Sequence, residues 1–365
     1  MTIKVAIVAD DLTGALDTGT PFVSAGLSVA VALDVEAVET AIATGAEVVV
    51  VNTQSRALDP VRAVERIKQA ATALKRTSPA FVFKKIDSRL KGNVAVESEA
   101  LAAAFGRLEM LVAPAVPDQQ RHTSQGHVVG FGIADPLPIM PLFAVCAPDV
   151  RVADASTDDD LDGIIEGLDG LTTLAVGARG LGLALARQLA LSPSRTPYST
   201  SARTLLAFGS RDPITNSQMA MLLESGLLAS HRDAPHGVVS VDNEPPGLPM
   251  LLRCSGDLTD RPKEVADRFA AGVSKVVAAT SPDILIMGGG DTAYAILHVL
   301  GARVLSPKGE IEAGIPWFEA QLPGRGQMRC AVKSGGFGNS QSLIKVLQDE
   351  PEVRQLGQCQ EWWIE

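Results

Sequence analysis

Residues 283–302 read DILIMGGGDTAYAILHVLGA, an apolar run followed by a glycine turn and then by a helix-forming pattern. A second segment, CAVKSGGFGNSQSLIKVL at 330–347, repeats this order. Strands that alternate with helices in this way are typical of α/β folds. At a helix start, unpaired N–H groups and the positive end of the helix dipole favour an anion such as phosphate. The two segments together predict a nucleotide site in the C-terminal part of the chain.

Both turns carry side chains that suit phosphate chemistry. Asp291 and Thr292 follow the first turn, where they could orient a metal-bound phosphate or cap the helix. Lys333 and Ser334 precede the second turn and could neutralise a phosphate or hydrogen-bond to it. Neither segment has Walker A spacing or the G-x-G-x-x-G dinucleotide pattern. Since glycine also serves simply to turn a chain tightly, each turn taken alone has a structural explanation as well.

Working outward, the N-terminal part of the chain alternates β-branched runs with helical patterns. Apolar runs without alternating polarity are typical of strands buried on both faces of a parallel sheet. Helical patterns are predicted at roughly 61–74 and 94–105. The runs that we predict as strands are IKVAIVA, LSVAVALD, EVVVVNT, AFVFKKI, EMLVAPAV and TTLAVGA.

The stretch at 188–204 is rich in Ser, Thr, Pro and Arg, which is the composition of a linker. Beyond it, TLLAFGS, GVVSVD and LPMLLRCS are predicted as strands, with helices at about 214–225 and 262–279. We therefore predict two domains, 1–200 and 201–365, each an α/β layer of largely parallel strands flanked by helices.

Composition limits the classes of function. The chain has 365 residues, of which 46% are hydrophobic, enough for two separate cores. Its net charge of −10 argues against non-specific binding to nucleic acid or to an anionic membrane. The start MTIKVAIVADD lacks the pattern of a signal peptide, and the chain has no run of 18 apolar residues. We expect a cytoplasmic protein without nucleic-acid or membrane partners, and a homo-oligomer is compatible with the sequence.

A second group of polar residues follows the N-terminal strands. The first strand ends in Asp10 and Asp11, and the third is followed by Arg56. Ligands of open α/β sheets bind outside the carboxyl ends of strands, so these side chains suit a polar substrate. One of the two carboxylates is expected to cap the next helix. The other could accept the proton of a substrate hydroxyl, or hold that hydroxyl in line, during phosphoryl transfer.

The fourth strand runs into FKKIDSRLKGNVAVE, which is locally basic in an acidic chain. An acidic small molecule would require such a positive cluster, although an exposed turn is the alternative interpretation. The loop APAVPDQQRHTSQGHVVG at 113–130 is either a cover for this site or a plain connection. The polar residues of the basic segment are Lys84, Lys85, Asp87, Ser88, Arg89, Lys91 and Asn93.

These motifs resemble the four-carbon acid sugar kinase family, in the family's order and over nearly the whole chain. The matching segments are ADDLTGALDTG at 9–19, NTQSR at 52–56, KKIDSRLKGNV at 84–94, PAVPDQQRHTSQG at 114–126, DASTDDDL at 154–161, GSRDPITNSQ at 209–218, GGGDTA at 288–293 and KSGGFG at 333–338. One departure stands out. Typical members read DSTLRGN where this chain reads DSRLKGN, so Arg89 replaces a threonine and Lys91 an arginine. The added cation implies a different or more highly charged acid.

The resemblance implies a sugar-acid-binding domain followed by a nucleotide-binding domain, with a cleft between them. It implies that ATP, with Mg2+, phosphorylates a terminal hydroxyl of an acid such as threonate, erythronate or 3-oxo-tetronate. Carried over by motif, the substrate side comprises Asp10, Asp11, Arg56, Lys85, Asp87, Ser88 and Asn93. The nucleotide side comprises Ser210, Gly288, Gly289, Gly290, Asp291, Thr292, Gly335 and Gly336.

Within this scheme we expect Asp11 to contact the accepting hydroxyl, with Asp87 and Asp10 as rivals, and Arg56 to hold the carboxylate of the acid. Two other readings stay open. One is a nucleotide-regulated sugar-acid-binding protein without turnover, in which the altered DSRLKGN turn has lost the transfer geometry. The other is a dehydrogenase or aldolase for similar acids, which the missing dinucleotide pattern disfavours.

Overall fold

The computed structural model of the chain describes residues 3–192, 196–240, 245–257 and 261–348. Within these ranges the N-terminal half contains a parallel sheet in the order β2-β3-β1-β4-β10-β5-β9. A separate antiparallel sheet is formed by β6, β7 and β8. The strands are β1 Val5–Ala9, β2 Val29–Ala32, β3 Val48–Asn52, β4 Phe81–Lys85, β5 Glu109–Ala113, β6 Arg121–Ser124, β7 His127–Gly130, β8 Leu137–Pro138, β9 Asp149–Val152 and β10 Thr173–Gly177. The helices are α1 Leu12–Ser24, α2 Val38–Ala43, α3 Pro60–Lys75, α4 Val94–Phe105, α5 Asp158–Glu166 and α6 Arg179–Gln188.

The C-terminal half has parallel strands in the order β12-β13-β11-β14-β17, and β16 and β15 continue the sheet as antiparallel neighbours. Its strands are β11 Thr204–Phe208, β12 Ser230–Pro235, β13 Met250–Ser255, β14 Ile284–Gly288, β15 Val304–Glu310, β16 Pro316–Leu322 and β17 Gly326–Lys333. Its helices are α7 Pro213–Glu224, α8 Pro262–Thr280, α9 Gly290–Val299 and α10 Ser342–Lys345.

The two halves share one continuous sheet, because β15 pairs with β2 in antiparallel register. Three antiparallel steps separate β2 from β17, so the parallel strands of one half run opposite to those of the other. Six steps lie between β1 and β14, and adjacent strands twist by about 20–25° each, which adds up to roughly 120–150°. This accumulated twist turns the carboxyl ends of the two sets of strands towards a common space.

The strands owe their burial to their apolar sequence. Every residue of β1, β3 and β14 is buried, and helices pack on both faces of the sheet. The six strands predicted in the N-terminal part are confirmed, and the fold is the expected α/β class with helices flanking a largely parallel sheet. Among the described residues, no helix combines the length and the apolar character that crossing a bilayer requires.

Two local predictions differ from the structure, and one of two alternatives for a loop is excluded. The segment GVVSVD is not a strand over its described residues, since the strand in this region is β12 at Ser230–Pro235. The loop at 113–130 is not a plain connection, because β6 and β7 pair within it as a hairpin. The second glycine turn does not open a long helix. The helix that follows it, α10, begins at Ser342 and has 4 residues. The predicted second domain extends to 365, and its residues 349–365 lie outside the described part of the chain.

Candidate functional site

A cavity of about 830 Å3 lies between the two halves of the sheet. Both halves line it, as expected where the carboxyl ends of two sets of parallel strands face each other. Of the predicted substrate residues, five line the cavity: Asp11, Arg56, Lys85, Asp87 and Ser88. Of the predicted nucleotide residues, three line it: Ser210, Gly335 and Gly336.

Asp10, Asp11 and Arg56 form one ion-paired group. Arg56 Nε and Nη2 donate to the two oxygens of Asp10, both at 2.8 Å, and Nη1 donates to Asp11 Oδ2 at 2.8 Å. Burial alone would raise the pKa of Asp10, but the hydrogen bonds and charge of Arg56, with the Lys84 and Lys85 charges, hold this pKa below its usual value. Asp10 is therefore a buried carboxylate that fixes Arg56, and it lies behind the cavity wall.

Asp11 combines two roles that the sequence assigned to separate carboxylates. Its Oδ1 accepts the Gly14 N–H at 2.8 Å, which makes it the N-cap of α1. Its Oδ2 accepts from Thr13 Oγ1 at 2.7 Å as well as from Arg56. Asp11 nevertheless lines the cavity, so the residue that caps the helix is also the one that faces the open space. Three of the five N–H groups of Arg56 are used by the two aspartates, and one remains on each terminal nitrogen.

The basic segment divides into buried and exposed cations. Lys84 is not part of the surface cluster that its position suggested, because it is fully buried and pairs with Glu97 at 3.0 Å. Lys85 lies at the cavity wall and donates to the Ile86 carbonyl at 2.9 Å. Arg89 and Lys91 are exposed and also line the cavity. The cationic surface available to a ligand is therefore smaller than the sequence indicated.

Asp87 and Asn93 shape this turn. Asp87 Oδ2 accepts the backbone N–H groups of Arg89 and Lys91, at 3.0 and 3.3 Å. Asn93 lies outside the cavity lining and donates from Nδ2 to the carbonyls of Ser55 and Leu58. It thereby ties the basic turn to the chain that follows β3.

Arg121 is a cavity residue that was not among the predicted site residues. It is the first residue of β6, is almost fully buried, and donates to Ser88 Oγ at 2.5 Å and to Gln119 Oε1 at 3.1 Å. Burial, together with the charge of Arg89, lowers the pKa of Arg121. The segment PAVPDQQRHTSQG contained this residue, but only the hairpin brings it to the cavity.

Arg179 is a second such residue, and it joins the two halves. It begins α6 at the carboxyl end of β10. The rule that ligands bind beyond the carboxyl ends of strands would have selected it. It pairs with Asp17 at 2.7 Å, with Asp118 at 3.3 Å and with Glu310 of the other half at 2.9 Å. Burial raises the pKa of Asp17 in spite of the Arg179 charge.

The first glycine turn lies at the start of α9, as predicted. Gly289 is its N-cap residue, with φ of 94°, a conformation that glycine adopts without strain. A Cβ on Gly290 would lie 3.2 Å from Thr13 Cγ2 and 3.7 Å from Asp11 Oδ2, so the starts of α9 and α1 meet across the halves. Gly288 has a packing role, because a Cβ there would lie 2.0 Å from the Phe208 ring.

Asp291 and Thr292 lie in the first turn of α9 and do not line the cavity. The protein packed around Asp291, together with the Asp11 carboxylate, raises the pKa of Asp291. Thr292 is buried, and it packs against Gly209, where a Cβ would lie 2.1 Å from its Oγ1. The α9 turn thus borders the cavity through its contacts with Thr13 and Ser210.

The second glycine turn packs against the start of α7 instead of opening its own helix. Thr215 Oγ1 and Lys333 Nζ both donate to the Gly335 carbonyl, at 2.9 and 3.3 Å, and Gln218 Nε2 donates to the Phe337 carbonyl at 3.1 Å. A Cβ on Gly335 would lie 3.0 Å from Asp212, the N-cap of α7. The helix start beside this turn is therefore that of α7.

Lys333 hydrogen-bonds to this turn from the interior of the protein. It is fully buried and donates to Thr215 Oγ1 at 3.1 Å and to the Ser334 carbonyl at 2.9 Å. Burial lowers the pKa of Lys333 to about 8. The predicted contact of Lys333 with phosphate is thus replaced by a structural role, while Ser334 lines the cavity.

Comparisons with known proteins match the N-terminal and C-terminal halves of the chain to separate families. A family described as a sugar-binding N-terminal domain matches residues 5–137, and one described as a nucleotide-binding C-terminal domain matches residues 252–343. The chain is 28% identical to a Bordetella bronchiseptica protein named D-threonate kinase, over 96% of this chain and 98% of that protein. It is 26% identical to a Methylobacterium radiotolerans protein named 3-oxo-tetronate kinase, over 95% and 99% of the two chains. For a Heliobacterium modesticaldum protein named D-erythronate kinase, the identity is 25%, over 84% and 88%.

The fold is also that of solved structures. A Salmonella typhimurium protein superposes with a TM-score of 0.72 at 21% identity, over 93% of this chain and 98% of that one. A Haemophilus influenzae protein gives a TM-score of 0.68 at 19% identity, with the same coverage of 93% and 98%. These comparisons agree with the resemblance that the motifs indicated: models of a sugar-binding N-terminal domain and a nucleotide-binding C-terminal domain match the chain, and it is similar over most of its length to proteins named threonate, 3-oxo-tetronate and erythronate kinases.

Proposed function

We propose that this protein is an ATP-dependent kinase that phosphorylates a terminal hydroxyl of a small sugar acid, such as threonate, erythronate or 3-oxo-tetronate. One observation carries the proposal: a single cavity is lined by a cation-rich turn from one half and by a glycine turn beside a helix start from the other. The names of the relatives support the same class of reaction. Residues 1–200 would bind the acid and residues from 201 onward the nucleotide.

On the nucleotide side, we propose that the triphosphate lies between the starts of α7 and α9. Ser210, Gly335 and Gly336 line the cavity there, so their backbone N–H groups and the Ser210 hydroxyl would be the donors to phosphate. Helix starts favour anions through unpaired N–H groups and the helix dipole, and small residues let a phosphate approach the backbone closely. Gly289 and Gly290 would contribute in the same way at the border of the cavity, next to Thr13.

On the acid side, we propose that Lys85 and Lys91, which both line the cavity, hold the carboxylate. Arg56 gives most of its hydrogen bonds to Asp10 and Asp11, so its chief effect would be to fix the orientation of Asp11. Asp11 would contact the accepting hydroxyl and take its proton as the phosphoryl group arrives. Since phosphoryl transfer requires little covalent chemistry from protein, in-line positioning between the halves would provide most of the catalysis.

The residues present fit a magnesium ion. Mg2+ is usually bound by phosphate oxygens, water and one or two carboxylates, so few protein ligands are needed beside a bound triphosphate. Asp291 lies in the first turn of α9, whose start packs against that of α1, and burial together with the Asp11 charge raises the pKa of Asp291. Asp291 would hold the ion, which would neutralise charge on the phosphates.

The test is ADP release by the purified protein with ATP and magnesium against a panel of four- to six-carbon sugar acids. The proposal expects ADP release that depends on the added acid, with the phosphoryl group on its terminal hydroxyl. If an acid and ATP both bind but no ADP forms with any acid, the protein is the binding protein without turnover that the altered DSRLKGN turn also allows.

A further inference from the structure

Two arginines stand together at the cavity wall. Arg121 Nε and Nη2 donate to the Phe131 carbonyl at 3.3 and 3.2 Å. Arg89 Nη2 lies 2.8 Å from the point that a Cβ of Gly132 would occupy. Both guanidinium groups therefore border the same short turn at 131–132. The lowered pKa of Arg121, caused by burial and by the Arg89 charge, agrees with this proximity.

Neither arginine forms an ion pair with another described side chain. Asp87 accepts backbone N–H groups of its own turn, and it acts on Arg121 only through its charge, as Asp118 does. Asp118 itself pairs with Arg179. By contrast, the other two cavity arginines are matched by carboxylates: Arg56 by Asp10 and Asp11, and Arg179 by Asp17, Asp118 and Glu310.

Two like charges beside the same turn, neither of them in an ion pair with a carboxylate, repel each other, and a bound anion relieves that repulsion. A guanidinium group matches the planar oxygens of a carboxylate or the oxygens of a phosphate. A tetronate carries one carboxylate, for which Lys85 and Lys91 line the same cavity. The arginine pair therefore exceeds what an acid with one negative group requires.

We infer that Arg89 and Arg121 form a second anion subsite, and that the sugar acid bound here carries a second oxyanion group, a carboxylate or a phosphate. This inference rests on the proposed function, because it assumes that the cation-rich wall binds the acid. Arg89 then selects among acids. The rival role for Arg89 is contact with the terminal phosphate of ATP, which would serve every acid equally.

Calorimetry on the full chain without ATP separates these cases. The probes are threonate with one carboxylate, tartrate with two, and 3-phosphoglycerate with a carboxylate and a phosphate. The unaltered protein should bind tartrate or 3-phosphoglycerate at least about tenfold more tightly than threonate, the scale of one added charge-assisted contact. Whichever of the two binds more tightly identifies the second group as carboxylate or phosphate.

Arg89→Gln removes the charge from an exposed side chain, and Arg151→Gln does the same on the edge strand β9, away from the cavity. Arg89→Gln should abolish the preference and leave threonate affinity within about twofold, whereas Arg151→Gln should change neither. Arg89→Lys keeps the charge but loses the planar guanidinium that donates two parallel hydrogen bonds. It should retain part of the preference for two-anion acids. Unchanged thermal melting confirms that each variant is folded.

Threonate binding as tightly as both two-anion acids would overturn the inference, as would equal weakening of all acids by Arg89→Gln. A rise in the KM for ATP alone would assign Arg89 to the nucleotide and overturn it too. ADP release distinguishes this failure from failure of the proposed function. If threonate binds as tightly as both two-anion acids and supports ADP release, the inference fails and the kinase stands. If no acid supports ADP release, the kinase fails whatever the acids bind.

Discussion

Arg179 and Glu310 join the two halves of the chain through two parallel hydrogen bonds, from Nη1 to Oε1 at 2.9 Å and from Nη2 to Oε2 at 3.0 Å. The side chain of Arg179 is 5% exposed, and it also pairs with Asp17 and Asp118. This guanidinium is thus the cation of a three-carboxylate group beside the cavity. Because its partners lie in both halves, the same ion pairs that hold the halves together also shape the cavity wall.

Replacing Arg179 by Met should lower the free energy of unfolding by about 3 kcal/mol at pH 7, because it leaves partly buried carboxylates without a cation. Without Arg179, the folded-state pKa values of these carboxylates would rise. A carboxyl group whose folded-state pKa is raised stabilises the fold at low pH and loses that contribution as pH rises. The loss should therefore shrink between pH 7 and pH 5. Urea unfolding at both values measures it.

Arg187→Met is the matched control, since Arg187 lies on the same helix and pairs with Asp162 while 39% exposed. A surface pair of this kind is worth under about 1 kcal/mol. Equal losses for the two variants would show that the junction around Arg179 contributes no more than a surface ion pair.

Replacing Asp11 by Asn should cut turnover by roughly 100-fold or more while ATP affinity stays nearly unchanged, as for loss of a general base. Asparagine is as good an N-cap as aspartate, so α1 should keep its start and the protein its stability. Steady-state kinetics and nucleotide titration measure the two effects.

Asp59→Asn tests a cap alone, because Asp59 caps α3 through the Arg62 N–H and does not line the cavity. It should leave turnover unchanged. Full activity of the Asp11→Asn variant would exclude Asp11 from the chemistry and direct attention to Asp87 and Asp10.

Replacing Gly289 by Val should weaken ATP binding, because φ of 94° strains a β-branched residue and displaces the start of α9. Gly324→Val is the control, since Gly324 has φ of 72° and a Cβ there has no neighbour within 4 Å. Both variants should lose some stability through backbone strain. Only the first should lose nucleotide affinity, and a titration that finds ATP binding equally strong in both would remove the α9 turn from the phosphate site.

Lys333 gives a prediction for alkaline pH. Burial lowers its pKa to about 8, so between about pH 8 and its usual value of 10.5 the unfolded chain binds a proton that the folded chain has released. Stability should then rise with pH across this window through Lys333. Lys333→Met should lose that rise, which urea unfolding at pH 7.5 and 9.5 can measure. A variant with the same pH dependence as the parent would contradict the buried position of this amine.

Local sequence was sufficient for most of the parallel strands and for several of the residues at their ends. Apolar β-branched runs predicted β1, β3 and β14, because a strand buried on both faces has no alternation to display. The rule that ligands bind beyond the carboxyl ends of strands selected Asp11 and Arg56, which line the cavity. Ser210, which also lines it, came from the family resemblance. Applied to the end of β10, the same rule would have selected Arg179 as well.

Other features depend on packing between segments distant in sequence. Lys84 is buried, and its charge is matched there by Glu97 on α4. The Gly335 turn accepts hydrogen bonds from Thr215 and Gln218 on α7. Neither contact has a signal in the local pattern, since a lysine at a strand end looks the same whether it faces solvent or a partner.

The sequence by itself determined an α/β chain with polar residues at the strand ends of one half and two glycine turns in the other, because residue type and spacing decide where a buried strand ends and a turn begins. Only the tertiary structure decided that these groups meet. The pairing of β15 with β2 sets the two parallel sets of strands in opposite directions, and the twist accumulated between β1 and β14 brings Gly290 against Thr13. Twist is a property of the whole sheet, so no single segment encodes the cavity.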